Sequence, residues 1–247
     1  GVAVDIQVIW HGFNPEIYKS KWSDDDKPRT NSEAFTFLFV GGHATPMDRK
    51  GGQFLAEAFN TFSKDDNVKL IFKINKSYNP NFDSEAHLRS LIKEELQDKV
   101  EFNGDFMTDE ELADLYRSCD VYVCPSMGEA FMMTGLEALA CGIPMIATEW
   151  SGYLDYAIPS GGLIPVRIKR RVLATYGVFD VPSGSVWVEP DVEHLKEQLK
   201  WAYEHPDEVN ELGKKASLWV HEHMTWEKQA IKTREVVENY EKNSNSV

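Results

Sequence analysis

Positive charge is scarce in this sequence: 26 lysines and arginines stand against 40 aspartates and glutamates, a net charge of −14. A nucleic-acid groove or an anionic membrane surface calls for a basic footprint, so both are excluded as partners of the chain as a whole. A phosphate ligand stays possible, because it needs only a local basic pocket. Cysteine is also rare. Cys119, Cys124 and Cys141 form no CxxC pair, and each lies in an apolar stretch. They read as buried free thiols in a reducing compartment. No apolar run approaches the roughly 18 residues that span a bilayer. No signal-peptide pattern opens the chain, so a soluble, cytoplasmic protein without a transmembrane segment is expected. Internal repeats and low-complexity tracts are lacking too. What is present is ordinary globular material: 247 residues, 42% apolar and 27% charged, enough for one large domain or two small ones.

The chain alternates. Strand-like runs are Phe35-TFLFV, Val68-KLIFKI, Val100-EF, Val121-YVC and Pro144-MIAT. Helical patterns lie between them, over 51–62, 84–97, 108–118 and 134–141. Thr108-x-x-Glu111 is a capping box at the start of the third. Such βαβ spacing predicts an α/β fold, a Rossmann-like doubly wound parallel sheet with ligands at the strands' C-terminal ends. Before it, Asp5-IQVIW reads as a short strand and residues 14–34 as a linker or surface loop. After it, 151–184 carries no assignable pattern. Ser185-VWVEP reads as a strand, 191–204, 206–223 and 225–241 as helices, and Asn243-SNSV as a disordered tail.

Chemistry concentrates in Gly128-EAFMMTGLEALACGIP. Glu129 and Glu137 stand eight apart, the first after a strand and the second in the first turn of the next helix. A carboxylate at a strand's tip beside a helix N-terminus can grip sugar hydroxyls next to a phosphate. Thr134-x-x-Glu137 is also a capping box, a structural role compatible with the first. Gly142 and Pro144 stop the helix. A second candidate is Phe39-VGGHATPMDRKGG: Gly41 and Gly42 permit a close backbone approach, and Arg49 and Lys50 precede a helix N-terminus, as a diphosphate cradle requires. A solvated basic turn is the bland alternative.

The segment EAFMMTGLEALACGIPMIA resembles the E-x7-E run of retaining GT-B glycosyltransferases, the group 4-type family that includes glycogen synthases, usually EGFGLPLLEAMACGxPVIA. The resemblance implies the C-terminal, nucleotide-sugar-binding half of such an enzyme, with a missing N-terminal Rossmann-like domain for an acceptor glycan, lipid or protein. It divides the chain into an interdomain strand and linker (1–34), a donor domain (35–224) and a closing helix with its tail (225–247). The implied reaction moves a sugar from a nucleoside-diphosphate sugar to a hydroxyl with retention, by a front-face route in which the leaving phosphate helps deprotonate the acceptor. No metal or other cofactor is expected. Glu129 would contact the sugar and, with Lys50, serve catalysis, while Glu137 would hold the ribose. Gly41, Gly42, His43, Arg49 and Lys50 would surround the diphosphate, Phe102 and Gly104 the base, and Ala130, Phe131, Met132 and Met133 the sugar phosphate.

Two departures stand out. The family's VGR…KG signature has Gly42-His43 here in place of Gly-Arg, which leaves Arg49 or His43 to replace the arginine. Met132 replaces a glycine whose backbone normally approaches the ligand, so a reshaped pocket is expected. A non-catalytic nucleotide-sugar module, or a GT-B phosphorylase or epimerase, remains the alternative function. Other features have bland explanations: Asp24-Asp25-Asp26 as a solvated acidic stretch, His221 and His223 as structural or surface residues, and Asn75-Lys-Ser77 as a sequon by pattern alone. Trp187, Trp201, Trp219 and Trp226 read as core or interface aromatics. Arg167-IKRRV reads as either a solvated hairpin or an acceptor-side or subunit contact.

Overall fold

Alternate side chains of the first long strand, β1 (Phe35–Gly41), go to opposite sides. Phe37 and Phe39 join one core, Leu38 and Val40 another. Both faces are buried because the strand lies in the middle of a six-stranded parallel sheet. The computed structural model describes residues 6–22, 33–74, 79, 81–175 and 184–244. The sheet also contains β2 (Val68–Ile74), β3 (Val100–Asn103), β4 (Val121–Cys124), β5 (Met145–Thr148) and β6 (Leu163–Val166), in the order β3-β2-β1-β4-β5-β6. The chain winds outward from β1 in one direction, then returns to β4 and winds outward in the other. The strand order reverses between β1 and β4, the position at which open α/β sheets bind ligands.

Helices cover both faces. The Phe37 side packs against α1 (Gly52–Phe59), α2 (Ser84–Ser90) and α6 (Val192–Glu204). The Leu38 side packs against α3 (Asp109–Arg117), α4 (Met133–Ala140), α5 (Leu154–Ser160) and α7 (Pro206–His223). All three cysteines are buried free thiols. No helix among the described residues is long and apolar enough to cross a membrane. The capping box at Thr108 is formed in both directions. At the end of α4, Gly142 takes φ 88°. Its N–H bonds to Leu139 O at 3.0 Å, and Ile143 N–H bonds to Ala138 O at 3.1 Å, a Schellman closure.

Four expectations need correction. Residues 6–10 form no strand: they pair with no strand among the described residues, and Ile6 and Val8 are exposed. Residues 14–22 are not a free linker. Lys21 Nζ donates to Cys119 O at 2.9 Å and Trp22 Nε1 to Gly142 O at 2.7 Å, so this stretch covers the open carbonyl ends of α3 and α4. The 84–97 pattern is split into α2 and a 3-10 turn, Glu94–Lys99. The side chains of Asn60 and Gln97 take the backbone groups at the break: Asn60 Nδ2 donates to Leu91 O, and Gln97 Nε2 to Arg89 O and Ile92 O, all at 2.8 Å. Finally, α8 (Trp226–Ser244) runs past Asn243, where a disordered tail is predicted. Residues 245–247, Asp24–Asp26 and Asn75–Ser77 lie outside the described residues.

The unassigned stretch holds α5, β6 and the strand β7 (Ile168–Leu173), which pairs antiparallel with β8 (Val186–Pro190) beside the main sheet. Arg167-IKRRV is thus a hairpin strand. Lys169 and Arg170 pair with Glu189 across it at 3.0 and 2.6 Å.

One contact fixes β1 to β4 at the end remote from the site. The buried carboxylate of Asp120 accepts Thr36 N–H at 2.7 Å, while Asp120 N–H donates to Thr36 O at 3.0 Å. Asp120→Ala leaves a buried N–H unsatisfied and should cost about 1–3 kcal/mol in urea unfolding. Asp120→Asn, which retains an acceptor oxygen, should cost less.

Candidate functional site

The loop after β1 is shaped by Asp48, a residue the sequence reading passed over. Its carboxylate accepts Ala44 N–H and Lys50 N–H, both at 2.9 Å, an Asx-type closure that places Arg49 and Lys50 side by side. The loop then crosses to the β4 exit, where Met127 N–H donates to Arg49 O at 2.7 Å. Gly51 makes this approach possible. It has φ 83°, and a Cβ there would lie 2.1 Å from Pro125 O.

Arg49 Nη1 and Lys50 Nζ both reach Glu129 Oε1, each at 2.8 Å, and Arg49 also donates to Gly128 O at 2.8 Å. The Glu129 side chain is only 6% exposed. Its backbone N–H donates to Ser151 Oγ at 3.0 Å. Ser151, which the sequence reading did not single out, has φ 96°, a glycine-like conformation. Lys50, Arg49 and Glu129, predicted from separate segments, are therefore one cluster. It spans the β1/β4 reversal at the C-terminal edge of the sheet.

His43 lies nearby but is no substitute for a cation. It is 1% exposed, its Nε2 is 3.0 Å from His87 Nδ1, and burial pulls its pKa down to about 4. Of the two residues that could replace the family arginine, only Arg49 brings charge to Glu129. Phe102 and Gly104 stand at the end of β3, on the same edge of the sheet. Phe102 stacks on Phe72 at 5.1 Å, with the Arg89 guanidinium 4.5 Å from its ring centroid. Gly41 and Gly42 lead out of β1. Phe131 packs on His11 and Tyr156, each at 5.2 Å, while Ala130 is exposed and Met133 half-buried.

Met132 is the N-cap of α4 and has φ 59°. Its side chain is buried in the Leu38-side core. The backbone keeps the left-handed conformation a glycine would take, secured by Tyr156 Oη donating to Met132 O at 2.7 Å.

The predicted capping box at Thr134 is absent. The helix starts at Met133, which puts Glu137 in the second turn, beyond reach of the N-cap N–H. Thr134 Oγ1 instead pairs with Tyr122 Oη at 2.8 Å, and Tyr116 Oη donates to Glu137 Oε2 at 3.2 Å. Neither α1 nor α4 has a side-chain N-cap, whereas α2, α3 and α6 are capped by Asp83, Thr108 and Asp191. The two helices flanking the cluster thus present N-terminal N–H groups that no side-chain cap satisfies, a setting suited to an anion.

The histidines read as structural or surface residues make such contacts. His221 Nε2 lies 3.1 Å from Ala140 O, and His223 stacks on Trp219 at 4.5 Å.

The family model for glycosyl transferases group 1 matches residues 34–168, more than half of the chain. The chain belongs to this family. An uncharacterized glycosyltransferase of Methanocaldococcus jannaschii is 28% identical over 205 residues, covering 80% of this chain and 50% of that protein. Mannosylfructose-phosphate synthase of Agrobacterium fabrum is 46% identical over 57 residues, 23% of this chain and 12% of that enzyme. Among solved structures, sucrose-phosphate synthase from Thermosynechococcus elongatus superposes with a TM-score of 0.69 at 23% identity, over 95% of this chain and 52% of that one. The chain has the GT-B type of α/β fold and spans about half the length of the Methanocaldococcus protein and of sucrose-phosphate synthase.

Burial raises the pKa of Glu137 to about 7, against a partly compensating hydrogen bond from Tyr116. The folded state then holds a proton that the unfolded chain releases near pH 4.5, so stability falls as pH rises from about 4.5 through 7. Glu137→Gln should remove that loss. The variant should be more stable than the parent at pH 8 by roughly 1–3 kcal/mol, with the two converging below about pH 4.5, as read by urea unfolding.

Proposed function

We propose that the chain is the donor-binding half of a retaining glycosyltransferase that transfers a sugar from a nucleoside-diphosphate sugar. The observation that carries this reading is the Arg49–Lys50–Glu129 cluster at the β1/β4 reversal, between two helix N-termini without side-chain caps. The diphosphate would lie against Lys50, Arg49 and the N–H groups of α1 and α4, with Gly41 and Gly42 allowing close approach. Glu129 would accept from hydroxyls of the transferred sugar, Glu137 from the ribose, and the strand end at Phe102 and Gly104 would meet the base. Charge developing on the leaving diphosphate would be stabilised by groups already in position. No metal ion is needed in this scheme. The spacing of the two glutamates supports retention by the family resemblance. Complexes of Anabaena HepE with UDP and with UDP-glucose, which share the fold at TM-scores of 0.67 and 0.62, support a nucleotide sugar as donor. The acceptor would be held by a further domain. Three buried free thiols favour a cytoplasmic location.

A thermal-shift panel of UDP, GDP, ADP and their sugars names the donor, and calorimetry then tests the site. Lys50→Ala should weaken nucleoside diphosphate binding by about 1.5–3 kcal/mol, roughly ten- to a hundred-fold. Glu129→Gln should leave that affinity intact or tighten it, since both cations lose a competing anion, while lowering turnover of the complete enzyme. Unchanged affinity in Lys50→Ala would remove the phosphate site.

Glu137 gives the same reading a pH dependence. Ribose hydroxyls donate best to the ionised carboxylate, so nucleotide affinity should fall as pH drops below about 7. Glu137→Gln should be weaker by about 1–2 kcal/mol at pH 8 and lose the pH dependence. A nucleotide affinity at pH 8 equal to the parent's would deny Glu137 a ribose contact.

A further inference from the structure

The β7–β8 hairpin lies outside the parallel sheet, yet it reaches the site. Val188 N–H donates to Met127 O at 2.9 Å, and Asp191 N–H donates to Arg167 O at 2.8 Å, so the hairpin is tied to the β4 exit and closed at its base. The Lys169 and Arg170 pairs with Glu189 hold its two strands in register. These bonds set Trp187 against the backbone immediately before Glu129. A Cβ on Gly128 would lie 2.7 Å from Trp187 Cδ1, so the indole fits only because that residue has no side chain.

A cavity of about 510 Å3 lies there, lined by Arg49, Glu129, Ser151, Trp150 and Trp187 among others. Trp150 follows β5, and the Arg171 guanidinium of the hairpin stands 5.4 Å from its ring centroid. The volume falls within the range of small-molecule sites, roughly 300–1,000 Å3. The chemistry of its walls is divided. They include a carboxylate, a guanidinium and hydroxyls together with two indoles. A sugar ring has the same division, with hydroxyls around its rim and C–H groups on its face. Aromatic side chains suit such a ligand, offering a large apolar surface that is rigid at little entropic cost. A nucleobase would stack on indole as well, but it is separated from the diphosphate by the ribose, whereas the transferred sugar is bonded to the diphosphate directly.

We infer that the β7–β8 hairpin makes Trp187, with Trp150, the wall of a donor-sugar subsite, so that an element outside the parallel sheet selects the sugar transferred. This inference rests on the donor-binding function proposed above. In a family that shares the sheet and its phosphate-binding edge, a hairpin added beside Glu129 can alter sugar preference without disturbing the diphosphate.

The test is a pair of titrations, of UDP, GDP and ADP and of UDP-glucose, GDP-mannose and ADP-glucose, against the parent chain and Trp187→Ala. The expected result is that at least one nucleotide sugar binds the parent more tightly than its own diphosphate. Trp187→Ala should lose about ten-fold of that sugar-dependent gain and leave diphosphate affinity unchanged. Trp187→Phe, which keeps an aromatic face, should retain most of it. If Trp187→Ala loses its cooperative melting transition, Trp187→Leu replaces it as the variant without a π-face. A ratio of sugar-nucleotide to nucleotide affinity that is the same in parent and variant overturns the inference, as does an equal loss for both ligands. Failure of every nucleotide to bind the parent would instead overturn the donor-binding function itself.

Discussion

A carboxylate almost wholly withdrawn from water ties the two halves of this sheet together where the site is. Isolated burial of an ionised Glu129 would cost several kcal/mol, and it is offset by two cations, each 2.8 Å away. The cations come from the loop after β1 and the carboxylate from the loop after β4. They meet because those strands are neighbours in space though 79 residues separate Arg49 from Gly128. Removing either side leaves uncompensated charge on the other. The clamp sets two cations against one carboxylate, in fixed geometry, within a chain whose net charge is −14. The diphosphate proposed for this edge would meet those cations despite the acidity of the chain as a whole.

Helix starts differ in whether a side chain caps them. Asp83, Thr108 and Asp191 satisfy the first N–H groups of α2, α3 and α6, whereas α5 and α7 start without a side-chain cap. At the cluster, Gly51 and Met132 begin α1 and α4 in the left-handed conformation and provide no side-chain cap. An aspartate cap at either place would occupy the N–H groups and repel a phosphate.

Strands β1 to β5 were legible because each is a short apolar run bounded by turn residues and separated by helical patterns, whereas β6 and β7 fall in a stretch that mixes proline, glycine and charge and shows no clear period. The two loops carrying Lys50 and Glu129 were legible through their motifs. Most of what else escaped depends on partners far along the chain. Thr134-x-x-Glu137 spells a capping box, yet the N-cap lies two residues earlier, at Met132, and two tyrosines, Tyr116 and Tyr122, draw both side chains elsewhere. Residues 14–22 look featureless until the open carbonyls of Cys119, Cys141 and Gly142 are placed beside them. Asp48 closes its loop on N–H groups two residues after and four before it, a local spacing that was open to reading, whereas Ser151 and Trp187 meet Glu129 N–H and Gly128 from far along the chain.

The two departures from the family pattern have a common physical form. At position 132, where the resemblance has a glycine, the backbone is left-handed with φ 59°, and methionine adopts it at a cost of about 1–2 kcal/mol. Burial of its side chain, at 4% exposure, and the hydrogen bond from Tyr156 offset that cost. The backbone at the start of α4 therefore keeps its direction although the side chain is new. At position 43 the expected arginine is a buried, neutral histidine facing His87, and the charge reappears at Arg49 from a different point on the same loop. What persists in each case is a backbone direction or the position of a charge, the two quantities an anion bound at this edge would sense. Residue identity is free to change wherever neighbouring packing can restore them.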